Sequence, residues 1–532
     1  MKRFLMFLII VLIISCKKGS PDNKTVVSSK SQEIIEQPRT ATEGRIIKFD
    51  SSKVTQFNNK SLLAFYKSYH FETVWQLTKK RKTLINELQS AGIEGLNPKD
   101  YNIDKLTKYE KNISKLAENK LIAYDLLLTR SFQKYINHLT TGKLNPRYLY
   151  KDWDLTQNKI DVHKLLKSSL ETDSLTINLE KVKPNHIVYK RLKKALILID
   201  KFPNDTMKRI EFKQKIVLND TNKSLISIKR KLIYWKDLAN IDSLNPIYDK
   251  ITFEGIKDFQ KRHGIIADGI IGQGTVDALN YSKIQRKHQI IANLERWKWY
   301  QKNLGDQYVI VNIPEYKLNL VKGKDTIESH KVIVGSAKRK TPILDSKLSY
   351  AVFNPTWTVP PTIIREDVIP AATKNRSYFS GKNIKIYDGN GKAVSPNNWN
   401  PAKGKSYRYV QSPGTHNSLG MVKLMFPNNF SVYLHDTNHR NFFEKTNRSL
   451  SSGCVRVENV LKLAEYLLGD KEKYSQNKIN SILKTGVTKN VNFKEKYNVH
   501  LLYWTAWSDN NKLIFRNDIY NLDADLYSKL RN

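Results

Sequence analysis

The chain has 532 residues and a formal net charge of +40, from 90 Lys and Arg against 50 Asp and Glu. At roughly 150 residues per domain, this length predicts about two to four domains. The charge alone would suit nucleic acid, but an export signal at the N-terminus argues against that partner and favours a polyanionic surface of the cell envelope. Because the lysines are scattered, an ordinary solvated surface explains the excess about equally well.

The first residues, MKRFLMFLIIVLIISC, predict export. Two basic residues precede an apolar run from Phe4 to Ile14, which is too short to span a bilayer. Cys16 follows the run, and this pattern resembles the bacterial lipoprotein signal; the alternative is an ordinary signal peptide with an incidental cysteine. The resemblance implies that residues 1–15 are removed, and that acylated Cys16 anchors a periplasmic protein in the outer membrane. Residues 16–45 are polar and predict a flexible tether.

Residues 46–225 predict a helical scaffold domain. Apolar residues recur at three- and four-residue spacing in FETVWQLTKKRKTLINELQSA and YDLLLTRSFQKYINHLTTGKL. The loop GIEGLNPKDYNI separates the two segments. This range carries no grouping of residues that indicates catalysis.

Residues 226–285 predict a smaller domain of short helices joined by glycine-rich turns. The segment TFEGIKDFQKRHGIIADGIIGQGTVDALN contains glycines that suit turns with positive φ. It resembles the small three-helix peptidoglycan-binding domain found in many cell-wall enzymes. The alternatives are a generic helical linker, or a module that has lost glycan binding and serves as a spacer.

Residues 286–505 predict a mostly-β domain, because QYVIVNIPEYKLNLV, SHKVIVG and FSVYLHD alternate with period two between turn residues. An insertion at 365–406, rich in Pro, Asn, Gly and Lys, is typical of a lid or binding loop. Residues 506–532 predict a C-terminal tail, in which a hairpin turns at Asp509-Asn510-Asn511. The whole pattern is that of a multidomain α+β protein.

Cys454 is the candidate nucleophile. A thiol attacks only as the thiolate, so it needs a neighbouring base or a helix N-terminus. Cys454 follows a Ser-Ser-Gly turn, and the N–H groups of Gly453 and Cys454 are expected to face a developing oxyanion. His435 ends a strand 19 residues earlier, near enough for a strand–loop return to bring it to the thiol. Tyr433 lies on the same strand face as His435 and is a candidate hydroxyl donor.

Two alternatives stay open on the residues alone. A buried, inert thiol is the commonest fate of a free cysteine, although the polar, glycine-flanked context and an oxidising compartment argue against it. A metal site would use His435 and His439 with Cys454 and either His416 or His500. The zincin pattern needs Glu directly after the first His on a helix, whereas here an Asp follows the end of a strand.

Two motifs, VYLHDT and RSLSSGCVRV, resemble the signature of the YkuD-type L,D-transpeptidases, cysteine enzymes that cross-link peptidoglycan. The segments NLERWKWY, VNIPEYKLNL, VIVGSAKRKTPI, FNPTWTVPPTI and QSPGTHNSLGMVKLMFPN occur in the order of the large, multi-domain Gram-negative branch of that family. The resemblance covers nearly the whole mature chain, including the scaffold, the peptidoglycan-binding domain and the capping insertion.

The resemblance assigns the nucleophile to Cys454 and the general base to His435, with Gly453 and Tyr433 beside the reacting atoms. Family members have His before the Gly-Cys pair, where this chain has Ser452. What that histidine contributes elsewhere is therefore an open question for this chain.

Several neighbouring side chains are candidates for binding substrate. Arg456 is expected to engage a substrate carboxylate; the alternative, which is favoured for Arg448, is a salt bridge to Glu458 or Glu444. In this branch a backbone carbonyl orients the base histidine, and Asp436 is a weak candidate because its side chain should point to the opposite strand face. Trp357 is either wall or core. The resemblance also places three polar side chains at the substrate: Asn417, Ser418 and Ser452.

The function implied is peptidoglycan L,D-transpeptidation that forms 3→3 cross-links through a thioester on Cys454. The resemblance implies peptidoglycan stems and glycan as partners, no metal or organic cofactor, and acylation of the same cysteine by carbapenems. Nucleic acid is not expected. Three alternatives remain: an L,D-carboxypeptidase or protein-anchoring enzyme of the same fold, a cysteine peptidase that cuts stems, and a degenerate, non-enzymatic wall-binding lipoprotein.

Overall fold

The computed structural model describes residues 44–240 and 243–532. The predicted signal segment 1–15, Cys16 and all but the last two positions of the tether lie outside the described residues. Within them, the helices are either too short or too polar to cross a membrane.

The N-terminal helices pack around a core of their own. Helix α5 shows why: its buried residues Leu128, Phe132, Tyr135 and Leu139 recur every three to four positions and form one apolar stripe. The helices of this region are α1 Ser52–Thr55, α2 Lys60–Ser68, α3 Thr78–Gln89, α4 Ile103–Lys111, α5 Glu118–Thr141, α6 Pro146–Leu149, α7 Val162–Glu171, α8 Leu175–Val182 and α9 Ile187–Asp200.

Three further helices form the small domain: α10 Ser224–Tyr234, α11 Lys250–Arg262 and α12 Gln273–Leu279. Gly264 and Gly269 adopt φ of +68° and +74°, as the turn pattern predicted. The side chain of Gln260 holds the second turn, accepting from the N–H of Gly269 and donating to the carbonyl of Ile270. The apolar residues of α9 join the core that this domain shares with the sheet rather than that of the scaffold, so the predicted range 46–225 contributes to two cores.

Helix α13, Lys283–Trp299, connects the small domain to the sheet. It begins with a capping box between Ser282 and Gln285. It is buried on nearly every side, between α9, the scaffold and the C-terminal helix.

The mostly-β region is one twelve-stranded sheet in the order β1-β5-β16-β2-β3-β4-β14-β12-β11-β6-β15, with β13 paired to β4. Strand β1 comes from the scaffold region and lies parallel to β5. The strands are β1 Trp153–Asp154, β2 Gln307–Asn312, β3 Lys317–Lys322, β4 Asp325–Gly335, β5 Ile343–Lys347, β6 Tyr350–Phe353, β11 Val422–Met425, β12 Leu434–His435, β13 Ser449–Ser451, β14 Val455–Val457, β15 Lys489–Asn492 and β16 Asn498–Leu502.

The predicted capping insertion is a folded unit, here called the cap and defined as residues 357–411. Its core is built on Phe379, Trp399 and Tyr409, and the indole N–H of Trp399 donates to the Tyr409 hydroxyl. A π-helical turn, Ile364–Val368, lies among its helices. The remaining elements are β7 Trp357–Thr358, α14 Pro361–Ile363, α15 Ile369–Lys374, α16 Ser377–Gly381, β8 Ile384–Tyr387, β9 Ala393–Val394 and β10 Arg408–Gln411, with the sheet ordered β7-β10-β8-β9.

The C-terminal elements complete the core of the sheet. Strands β17 Ala506–Asp509 and β18 Lys512–Phe515 form the predicted hairpin, and its turn residues Asn510 and Asn511 both have positive φ. The remaining helices are α17 Val460–Leu468, α18 Lys471–Tyr474, α19 Gln476–Lys484 and α20 Asp523–Arg531. The predicted multidomain α+β fold is confirmed, whereas α20 was not expected within the tail.

Candidate active site

The candidate residues lie on one face of two neighbouring parallel strands. Strands β12 and β14 pair with Leu434 opposite Val455 and His435 opposite Arg456. Leu434 and Val455 are fully buried in the core beneath the sheet. Because side chains alternate along a strand, the opposite face carries Tyr433 and His435 from one segment, and Cys454 and Arg456 from the other.

The segment 451–454, here called the nucleophile turn, is held by its own side chains. The hydroxyl of Ser451 donates to the carbonyl of Cys454 at 2.6 Å and accepts from the N–H of Gly453 at 3.2 Å. Gly453 has φ of +117°, a conformation that residues with a side chain rarely adopt. Its carbonyl accepts from the hydroxyl of Thr341 at 2.8 Å. The expectation that the Gly453 N–H faces an oxyanion is wrong, because that N–H donates to the Ser451 hydroxyl inside the turn. Of the two N–H groups predicted to face the oxyanion, that of Cys454 is left as the candidate.

Cys454 forms no disulfide within the described residues, and its half-buried thiol donates to the carbonyl of Ser431 at 3.9 Å. Burial raises the pKa of Cys454 to about 11, against hydrogen bonds from the backbone N–H and the hydroxyl of Tyr433 that favour the thiolate. The hydroxyl of Tyr433 in turn accepts a hydrogen bond from Trp357, at the base of the cap. Trp357 is half-buried and packs against the core of the cap, so it is part of the wall near Tyr433 rather than deep core.

His435 is only 4% exposed. Burial, followed by the charge of Arg456, lowers the pKa of His435 to about 3. The backbone carbonyls of Asp436 and Leu419 lie near the ring and oppose this shift. Even so, within the described residues the buried Nδ1 forms no hydrogen bond of ordinary distance and angle. The free site therefore holds a neutral imidazole on the same face as a neutral thiol.

Asp436 does not orient this histidine. Its carboxylate accepts from the N–H of Met421 and pairs with Arg440, at 2.9 and 3.0 Å respectively. Gly420 lets the carboxylate approach, since a Cβ at that position would lie 2.4 Å from the Asp436 carboxyl group. Asp436 was a weak candidate from its strand position, and this geometry agrees with that prediction.

Arg456 does not form the salt bridges offered as its alternative role. Glu444 and Glu458 both pair with Lys331 instead. Within the described part of the chain, the Nε of Arg456 is buried without a hydrogen-bond partner, and burial lowers the pKa of its guanidinium. Lys423, which the sequence did not single out, lies opposite His435 on β11.

Arg448 has a structural role, as the sequence favoured, but through backbone carbonyls rather than a carboxylate. It donates to the carbonyls of Val332, Lys445 and Tyr316, and its guanidinium lies over the Tyr316 ring. It thereby fastens the segment before the nucleophile turn to β4.

Asn417 was expected at the substrate, and the structure instead places it inside its own loop. Its buried amide donates to the carbonyls of Pro355 and Ser412 and accepts from the N–H of Leu419. Ser418 is half-buried, with its N–H bonded to the Gln411 side chain.

Ser452 is exposed and connects the nucleophile turn to the cap. Its hydroxyl accepts from Nη1 of Arg339 at 2.9 Å. The same guanidinium pairs with Asp367 at 2.6 Å and with Glu366 at 2.8 Å, both in the π-helical turn of the cap. The sequence did not identify Arg339, because its partners come from two distant segments, the cap and the nucleophile turn.

The metal alternative has no support among the described residues, which include no group of three His, Cys, Asp or Glu side chains placed to hold an ion. His439 is exposed and stacks on Phe442.

Residues 306–487 match the family model described as the L,D-transpeptidase catalytic domain. This part of the chain is a YkuD-type L,D-transpeptidase domain. Residues 221–279 match the model named "Putative peptidoglycan binding domain", and residues 60–196 match one named "Scaffold domain".

One curated relative of this transpeptidase domain is a "Putative L,D-transpeptidase" of Haemophilus influenzae, 37% identical over 221 residues. The match spans 41% of this chain and 45% of the relative's length.

Two crystal structures of L,D-transpeptidases were also matched, one from Xylanimonas cellulosilytica and one from Stackebrandtia nassauensis. They are 13% and 15% identical, with TM-scores of 0.18 and 0.20. They cover 55% and 56% of this chain, and the matches span 99% and 97% of the two solved chains.

Proposed function

We propose that this chain is a peptidoglycan L,D-transpeptidase that forms 3→3 cross-links between stem peptides through a thioester on Cys454. The observation that carries the proposal is the shared sheet face, which holds Cys454 and His435 with one residue pair, Leu434 and Val455, between their positions. A transpeptidase domain supplies the reaction class, and the peptidoglycan-binding module supports peptidoglycan as the substrate.

In the first half-reaction, His435 accepts the proton of the Cys454 thiol as the sulfur attacks the carbonyl carbon of the third stem residue. The new C–S bond forms a tetrahedral intermediate, whose oxyanion is stabilised by the Cys454 N–H and the Tyr433 hydroxyl. The C–N bond to the terminal D-alanine then breaks, and protonated His435 gives its proton to the leaving amine. The product is a thioester on Cys454 and free D-alanine.

In the second half-reaction, the side-chain amine of another stem attacks the thioester carbonyl. His435 accepts a proton from that amine, the C–S bond breaks, and the thiol is restored by the same proton. The new amide bond joins two third residues, which is the 3→3 cross-link. The cap, tied to the nucleophile turn through Arg339, would exclude water during this step and favour the amine as acceptor.

The low pKa of His435 and the high pKa of Cys454 both result from burial in the free site. A neutral imidazole is the form that can accept a proton, and a neutral thiol resists oxidation. We infer that proton transfer accompanies attack on a bound substrate rather than preceding it.

Anchoring, location and inhibition belong to the same proposal. We expect acylated Cys16 to anchor the protein in the outer membrane on the periplasmic side, with glycan held by residues 226–285. We also expect a carbapenem to acylate Cys454, because a strained β-lactam carbonyl offers the same electrophile as the stem amide.

The test is to incubate the purified full chain with tetrapeptide muropeptides and identify the products by mass spectrometry. We expect 3→3 dimers and free D-alanine from the natural chain and neither from Cys454→Ala. Tripeptides without dimers would indicate a carboxypeptidase, and shortening of cross-linked sacculi would indicate a peptidase. If a carbapenem leaves no adduct on Cys454 in the intact mass, the non-enzymatic alternative is favoured and the proposal fails.

A further inference from the structure

Two cations flank the catalytic histidine on the same face of the sheet. Strand β11 places Lys423 opposite His435, and β14 places Arg456 opposite the same residue from the other side. Neighbouring strands lie about 4.8 Å apart, so the backbones of the two cations are roughly 10 Å apart, and their long side chains can converge above the histidine. Cys454 lies two residues before Arg456, on the same face.

Both cations reach the space around the sulfur. Lys423 and Arg456 each interact electrostatically with Cys454, and Nζ of Lys423 lies 5.4 Å from the centre of the Tyr433 ring. Both side chains are half-buried, and burial lowers the pKa of each. They therefore lie next to the reacting atoms.

Neither cation forms an ion pair with an Asp or Glu among the described residues. The nearest candidates in sequence are occupied elsewhere: Glu458 pairs with Lys331, and Asp436 pairs with Arg440. Nε of Arg456 is buried and has no hydrogen-bond partner in residues 44–240 and 243–532. Burying an unpaired charge is costly, so such a pair of cations is best explained by an anion that arrives with the substrate.

We propose that Lys423 and Arg456 together bind a carboxylate of the donor stem beside the scissile bond, and that they select stems in which this group is free over stems in which it is amidated. The inference rests on the proposed function. A tetrapeptide stem carries two carboxylates close to the scissile bond: that of the terminal D-alanine and that on the side chain of a diamino acid at the third position. Charge-assisted bonds to either would be made only by the acid form.

A carboxylate site predicts a selective loss of affinity. The probe is binding of synthetic tetrapeptides to the full chain carrying Cys454→Ala, which cannot react. Three peptides are compared: the diacid, the peptide with a C-terminal carboxamide, and the peptide with the diamino acid side chain amidated. We expect one carboxamide to bind roughly ten- to a hundredfold more weakly than the diacid, and its identity tells which carboxylate is held.

Adding Lys423→Met should weaken binding of the diacid by about tenfold or more and leave binding of that carboxamide peptide nearly unaffected. Lys423→Arg should restore part of the lost affinity. The matched control is Lys489→Met, which removes an exposed lysine from β15 in the same sheet. Equal weakening of acid and amide by Lys423→Met, no weakening at all, or failure of the diacid to bind would each overturn the proposal.

The same variants separate this inference from the proposed function. If chains with Cys454 intact make no product from any tetrapeptide while the binding difference persists, the carboxylate site stands and the transpeptidase proposal fails. If product forms and Lys423→Met slows the reaction of the diacid and that of the carboxamide peptide equally, the lysine acts on the thiol rather than on the substrate. Alkylation of Cys454 in Lys423→Met then checks that reading, because loss of a cation raises the thiol pKa and slows alkylation.

Discussion

Arg339 donates a hydrogen bond of 2.9 Å from Nη1 to the hydroxyl of Ser452, two residues before the candidate nucleophile. Its other bonds go to Asp367 and Glu366 in the cap. Hydrogen bonds to these carboxylates, chiefly Asp367, raise the pKa of Arg339 and keep it charged. Arg339 thus connects Ser452, where this chain departs from the family motif, to the cap, which is expected to exclude water.

Replacing Arg339 by Met should loosen the cap with little effect on stability. Its ion pairs are partly exposed, so the free energy of unfolding should fall by no more than about 1–2 kcal/mol. Acyl-enzyme should react more with water, and the ratio of tripeptide to 3→3 dimer should rise by severalfold in muropeptide assays. The control is Arg365→Met, which removes another partner of Glu366 without touching Ser452. An unchanged product ratio in Arg339→Met would show that the cap does not act through this contact.

Ser452→His restores the residue that other family members carry. Ser452 is exposed, so an imidazole fits at the surface, and one of its ring nitrogens can accept from Arg339 in place of the hydroxyl. We expect kcat/KM for dimer formation to be retained or raised, within about threefold, because the hydroxyl touches neither the sulfur nor His435. A loss of a hundredfold, measured with an unchanged melting temperature, would show that the roles assigned within the nucleophile turn are wrong.

The sequence predicted the parts of the site that depend on local pattern. Two-residue periodicity placed Tyr433 and His435 on one strand face, and the Ser-Ser-Gly-Cys order placed the turn. It missed Lys423 because strand pairing between distant segments decides which residues share a face.

The errors have the same physical origin. The sequence assigned the Gly453 N–H to an oxyanion, since it could not show that the Ser451 hydroxyl folds back onto that N–H. It assigned Asn417 to the substrate, because a sequence cannot distinguish an amide that contacts substrate from a buried amide that hydrogen-bonds three groups of its own loop. The insertion showed no periodicity, and yet Trp399 and Tyr409 form a core for the cap.

The thiol of the free enzyme should alkylate slowly near neutral pH. Burial sets the pKa of Cys454 at about 11, so the rate with iodoacetamide should rise about tenfold per pH unit from pH 6 to 9 without a plateau. Tyr433→Phe removes a hydrogen bond to the thiolate, which raises the thiol pKa and should slow alkylation at pH 8 by about tenfold. A plateau near pH 7 would instead indicate a preformed thiolate–imidazolium pair. Peptide mapping by mass spectrometry assigns the alkylated cysteine.

Gly453→Ala should reduce activity beyond its effect on stability. Its φ of +117° disfavours any side chain, and a Cβ would lie 3.4 Å from the Lys340 carbonyl. We expect a loss of about 1–3 kcal/mol in unfolding free energy by urea titration, and at least a hundredfold loss of dimer formation as the turn moves the sulfur. Gly391→Ala, at φ +81° in the cap with no atom nearby, is the control for strain alone. Equal activity losses in the two variants would contradict a special role for the nucleophile turn.

Tyr520→Phe tests whether the C-terminal tail supports the nucleophile. The Tyr520 hydroxyl accepts from the N–H of Thr341 at 3.0 Å and donates to the carbonyl of Gly335 at 2.8 Å, and Thr341 in turn bonds to Gly453. Removing the hydroxyl leaves buried backbone groups unpaired, which should lower the unfolding free energy by about 1–3 kcal/mol.

The same variant should lower kcat by about tenfold with KM little changed, because the turn loses its support while the substrate contacts remain. The control is Tyr527→Phe, in the same tail, whose ring stacks on His288 away from this hydrogen-bond chain. A stability loss in Tyr520→Phe without any change in kcat would mean that Thr341 holds the Gly453 carbonyl unaided, and that the tail contributes to folding alone.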